Sequence, residues 1–166
     1  MTCFFLDTNV LFRVGFVRDL SRKCVERSHR ICVSALVHME RVSQLRREKG
    51  DAYDPAAVEA FIHTHGIEII AFDRDAAEQV AAALSAQFSC DADWQLAKWQ
   101  RCARAVGQDR EPPASPRCPA TLDWVIARHA LGGDPVIVSD DLGSEFTSVR
   151  RVGPAEALEI AMVDGN

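Results

Sequence analysis

No apolar run in this sequence is long enough to span a bilayer. The N-terminus also lacks the basic-then-apolar pattern of a secretory signal, so the expected location is cytoplasmic, with no membrane partner. Excess positive charge is missing too. The formal net charge is -5, so a role on nucleic acid would need a local basic face or bound cations. The six cysteines, Cys3, Cys24, Cys32, Cys90, Cys102 and Cys118, form no Cys-x-x-Cys pair. The wide spacing of the last three makes a zinc site a poor reading, and reduced thiols are expected in the cytosol. His63 and His65 cannot share one helix face, which argues against a metal pair there. There is no glycine loop to cradle phosphate and no Gly-x-Ser-x-Gly elbow.

What remains is an ordinary globular composition. A chain of 166 residues that is 48% apolar and 26% charged fits one domain with a proper core. Short apolar runs alternate with helical periodicity. Strands are expected at residues 3–7, 31–33, 67–71 and 135–138, with a short edge strand near 149–152. Between them lie helices at about 10–28, 35–49, 55–65, 75–87, 91–106 and 120–131, and a closing helix from Pro154. Asp54-Pro55 and Asp73 are helix-start signals. Residues 107–119 hold four of the seven prolines and are expected to form a long loop. Strand and helix alternate throughout, which predicts an α/β three-layer sandwich. Its central sheet would be mostly parallel, with four to five strands.

Two of the buried runs stop on carboxylates. Phe4-Phe5-Leu6 meets Asp7-Thr8-Asn9, and Val136-Ile137-Val138 meets Ser139-Asp140-Asp141. In an open parallel sheet, ligands sit outside the carboxyl ends of the strands, where Asp7 and Asp141 would lie. Glu40 and Asp123 fall in the early turns of helices that start near the same edge. Each acid alone has a bland explanation: Asp7 as a helix cap, Glu40 as a surface residue, Asp123 as a complement to the helix dipole. Converging together, they would repel one another and call for a divalent cation. All-oxygen ligands suit Mg²⁺ or Mn²⁺ rather than zinc. Such a site can activate water for in-line attack on a phosphodiester and neutralise the leaving oxygen.

In order, the residues are Leu6-Asp7-Thr8-Asn9, Ser34 with Glu40 six positions on, Asp123-x-x-Ile126-Ala127, and Val138-Ser139-Asp140-Asp141 with Phe146. This set resembles PIN-domain proteins, most closely the VapC-type toxins of toxin–antitoxin pairs. The resemblance implies a Mg²⁺- or Mn²⁺-dependent endoribonuclease acting on RNA, a cognate antitoxin protein as partner, and a homodimer. Carried over position by position, it makes Asp7, Glu40, Asp123 and Asp141 the catalytic, metal-binding acids. Thr8, Asn9 and Ser139 become the polar residues behind them. Asp140 falls on a variable position, from which it can reach a metal through water. The chain is then a single PIN-like domain spanning 1–166, and residues 88–119 depart from the pattern as an inserted helix plus proline-rich loop. Lys98, Arg101 and Arg104 on that helix read either as phosphate contacts or as a solvated face.

Two other readings compete. A haloacid-dehalogenase-type phosphatase also begins with an Asp after its first strand, but normally carries a second Asp two residues later, where this chain has Asn9. A non-catalytic, partner-binding PIN-like module would not need all four acids.

Overall fold

The structure is a computed structural model that describes residues 1–105, 107, 122–130, 135–141, 146 and 149–163. Apart from Gly107, the loop expected over 107–119 lies outside the described residues, as do Cys118 and Thr121.

Among the described residues, five strands form one sheet: β1 (Cys3–Leu6), β2 (Arg30–Ser34), β3 (Ile67–Ile70), β4 (Val136–Val138) and β5 (Arg151–Val152). Their order is β3-β2-β1-β4-β5, and every pairing is parallel. Among the described residues, seven α-helices accompany them: α1 (Val14–Arg27), α2 (Ala35–Lys49), α3 (Pro55–Thr64), α4 (Arg74–Gln87), α5 (Asp91–Ala105), α6 (Leu122–His129) and α7 (Pro154–Ile160). The α/β sandwich with a parallel sheet is therefore the fold that the alternating pattern predicts.

β1 is the central strand, which explains its unbroken apolar run. Phe4 and Leu6 are fully buried, as are Val33 on β2 and Ile137 and Val138 on β4. Strands covered on both faces carry no polar alternation. On α1, Val17, Leu20, Ser21 and Cys24 recur at helical spacing and are the buried set. Each fully buried Leu or Phe contributes about 1.5–3 kcal/mol through removal from water.

The chain runs β1, β2, β3 outward in one direction, then returns to the other side of β1 with β4 and β5. The reversal falls between β1 and β4. In open parallel sheets this switch point opens a crevice beyond the strand ends.

Two local expectations need correction. The first helix starts at Val14, not near Val10. Instead, the carbonyl of Asp7 accepts from the amides of Val10 and Leu11, folding residues 7–11 into a tight turn. Asp7 is thus not the cap of α1, whose capping position is Arg13 with no side-chain cap bond. The α2 face also differs from its sequence pattern, in which Leu36, Val37, Met39, Val42 and Leu45 form the apolar set and Arg41 faces outward. Val37 is its buried residue, Met39 is exposed, and Arg41 turns inward to lie 6.0 Å from the Phe12 ring centroid. The caps at Asp54 and Asp73 are as the sequence indicates, accepting from the amides of Ala56 and Ala76.

Candidate metal centre

The parallel register places the site. Leu6 pairs with Val138, so the next residues, Asp7 and Ser139, emerge side by side at the switch point. The amide of Asp7 continues the ladder by donating to the Val138 carbonyl at 3.0 Å. Ser139 then donates its hydroxyl to Asp7 Oδ2 at 2.6 Å. Its Oγ accepts in turn from Asn9 Nδ2 at 3.1 Å and from the amide of Asp141 at 3.0 Å. Asn9 Nδ2 also donates to Asp7 Oδ2, and the Thr8 amide donates to Asp7 Oδ1 at 2.8 Å. One fully buried serine therefore fixes both the Asp7 carboxylate and the backbone that carries Asp141.

Glu40 arrives by a different route. Ser34, at the end of β2, caps α2 by accepting from the Leu36 amide at 3.1 Å. Its Oγ also lies 2.9 Å from His129 Nδ1 on α6. Glu40 then sits in the second turn of α2 and accepts from Thr8 Oγ1 at 2.6 Å. Asp123 is the second residue of α6.

These elements enclose a cavity of about 520 Å³. Asp7, Glu40, Asp123 and Asp141 all line it, with Thr8 and Asn9. Asp140 does not line it; this residue is exposed, ion-paired with Arg13, and donates its amide to Asn9 Oδ1. Arg41 and Gln44 also line the cavity and went unnoticed in the sequence. Gln44 lies four positions after Glu40 and so shares its helix face, whereas Arg41, directly beside Glu40, has no such signal.

Arg101, from α5, is the cation in the middle of this arrangement. Its Nη2 lies 3.2 Å from Asp123 Oδ2 and 3.1 Å from Asp141 Oδ2. Neither Arg101 nor Lys98 belongs to a solvated face. Lys98 is buried, with Nζ 4.9 Å from the Trp94 ring centroid.

The electrostatics follow from crowding acids in a half-buried pocket. Burial pushes the Asp7 carboxyl up from 3.8 to about 6, with the Asp123 and Asp141 charges adding to the rise. The bonds from Ser139 and Thr8 oppose it without cancelling it. Asp123 is also raised, first by burial and then by Asp141, against the pull of Arg101. Carboxylate oxygens in this setting have the donor chemistry of a hard divalent cation. As they stand, however, the described residues include no group of three His, Cys, Asp or Glu side chains close enough to hold an ion. The acids share one cavity and repel one another, with Arg101 paired to two of them.

A PIN domain family model matches residues 4–93. The chain belongs to the PIN domain family. The matched stretch includes Asp7 and Glu40; the structure adds Asp123 and Asp141 to the same cavity. No curated protein matches the sequence. Among solved structures, the PIN chain is similar to VapBC2 from Rickettsia felis bound to a DNA fragment from their promoter. The likeness has a TM-score of 0.54 at 14% identity, over 92% of this chain and 98% of the other. It is similar also to DNA-bound VapBC from Salmonella typhimurium, with a TM-score of 0.53 at 20% identity over 93% and 99% of the two chains. At these identities the likeness establishes the fold.

Among the described residues, no helix is long and apolar enough to cross a membrane. Cys3, Cys24, Cys32 and Cys90 are free thiols, whereas Cys102, expected to be reduced, is disulfide-bonded.

Proposed function

We propose that this PIN domain is a Mg²⁺- or Mn²⁺-dependent endoribonuclease and the toxin of a toxin–antitoxin pair. One observation carries the reading: Asp7, Glu40, Asp123 and Asp141, spread over most of the sequence, rim a single cavity at the sheet's switch point.

Asp7, Glu40, Asp123 and Asp141 would hold the cation, and Asp140, which stands outside the cavity wall, would reach it only through water. Bound there, a divalent ion supplies positive charge that polarises a phosphodiester and acidifies water. The chain's own residues do the positioning. Ser139 and Asn9 orient the Asp7 carboxylate, Thr8 holds Glu40 by its hydroxyl, and Arg41 offers a cation at the cavity wall. That cationic rim suits a phosphate backbone despite the net negative charge of the chain.

The similar VapBC structures support an antitoxin as partner. It would be a separate small chain, and the toxin itself a homodimer working in the cytoplasm. The domain is read as spanning 1–166, with 88–119 as an insert.

Purified protein incubated with single-stranded RNA and with a phosphomonoester, in Mn²⁺ or in EDTA, tests the reading. The expected result is RNA cleavage in Mn²⁺, none in EDTA, none by Asp7→Asn, and no phosphomonoester turnover. Cleavage that persists in EDTA, or in both Asp123→Asn and Asp141→Asn, would overturn it.

A further inference from the structure

We infer that Arg101 is a built-in counter-cation of the acid cavity, which a divalent metal must displace from Asp123 and Asp141. The inference rests on the metal-dependent reading of the site and adds to it a control element supplied by the inserted helix.

Three observations lead there. First, a single guanidinium nitrogen of Arg101 reaches both carboxylates, at 3.2 Å and 3.1 Å. Those oxygens are therefore turned toward a cation the chain already owns. Second, the placement is built. Trp94, Lys98 and Arg101 recur at spacings of four and three residues, so they share one face of α5. Trp94 packs edge-on against Trp124 of α6 with centroids 5.6 Å apart, and Phe88 contacts both rings at 5.1 Å and 5.2 Å. This aromatic cluster fixes α5 against the helix that carries Asp123, one to two turns before Arg101. Third, the carboxylates are not gathered as a chelating group among the described residues, although they line one cavity. Arg101 lies between Asp123 and Asp141, where closure on an ion would require it to leave.

A guanidinium and a divalent ion cannot share those oxygens without strong repulsion at such separations. Metal affinity is thus set partly by how readily Arg101 swings out. Once displaced, its charge stays at the rim of the cavity, held by α5.

The test is calorimetric titration of Mn²⁺ into the full chain and its variants. Arg101→Ala and Arg101→Gln are expected to bind Mn²⁺ at least tenfold more tightly than wild type. Arg101→Lys, which keeps the charge, should lie between. Asp141→Asn should abolish binding in every background. In wild-type protein the Arg101 Nε–H resonance should shift during a Mg²⁺ titration with the same midpoint as binding. That readout stands even where a variant folds poorly. Unchanged Mn²⁺ affinity in Arg101→Ala and Arg101→Gln, with binding still lost in Asp141→Asn, overturns the counter-cation alone. Weaker RNA binding in the same variants would then make Arg101 a substrate contact. Absence of Mn²⁺ binding in wild type and variants alike overturns both this inference and the nuclease reading.

Discussion

Ser139 donates its hydroxyl proton to the Asp7 carboxylate at 2.6 Å, joining residues 132 positions apart in sequence. The bond exists because β1 and β4 are parallel and in register, so their C-terminal neighbours emerge together. The same oxygen accepts the Asp141 amide, so a single hydroxyl aligns two of the cavity's acids.

Removing it therefore acts on both. Ser139→Ala leaves the Asp141 amide without its acceptor and takes a hydrogen bond from a buried carboxylate. The expected loss is about 1–3 kcal/mol of stability. RNA cleavage should fall by at least tenfold, and Mn²⁺ affinity should weaken. Chemical denaturation and titration calorimetry measure the two effects separately. Cleavage at the wild-type rate would show that Asp7 needs no orienting partner.

The pH dependence of Asp7 has a definite sign. Its folded-state pKa, about 6, lies above its ordinary value of 3.8. Between pH 4 and 6 the unfolded chain releases this proton first, so metal-free stability declines as pH rises through that window. The full difference corresponds to about 3 kcal/mol at neutral pH. Asp7→Asn should accordingly raise the melting temperature in EDTA at pH 7.5 and flatten the decline between pH 4 and 6. In Mn²⁺ the order should reverse, because only wild type gains binding energy. A variant less stable than wild type in EDTA would mean that burial does not strain this carboxylate.

Thr8→Val tests the hold on Glu40. The substitution keeps the shape and removes the hydroxyl that donates to Glu40 Oε2 at 2.6 Å. Cleavage is expected to drop by about tenfold while stability changes by roughly 1 kcal/mol or less, since the bond is only partly buried. An equal loss in Glu40→Gln and in the double variant would show that both residues act through this one contact.

The cap at Ser34 is a structural control. Ser34→Ala loses the bond from the Leu36 amide, which should cost about 1 kcal/mol and loosen the first turn of α2. Helicity by circular dichroism should remain close to wild type. Complete unfolding would mean that the 2.9 Å contact with His129 carries more than the cap does.

Much of this was readable in the sequence because burial writes itself there. β1 and β4 are covered on both faces, so their apolar runs stop where the backbone leaves the sheet, and the carboxylates at 7 and 141 mark those exits. Parallel pairing then fixes both at one edge. Other features depend on contacts that no local pattern encodes. The turn at 7–11 carries no glycine or proline, so its helix-like periodicity suggested an earlier start for α1. Arg41 turns inward because Phe12 packs against it, from an element 29 positions away. Arg101 reaches the acids only because Trp94 docks on Trp124, a contact between two amphipathic helices that the sequence leaves unpaired.

The most direct measurement is anomalous diffraction from a crystal of the full chain soaked in Mn²⁺. A manganese peak should stand in the cavity, within coordination distance of Asp7 and Asp141, with Arg101 withdrawn from Asp141. A well-occupied manganese elsewhere, with that cavity empty and Arg101 still on both carboxylates, would contradict the claim that these acids share a metal.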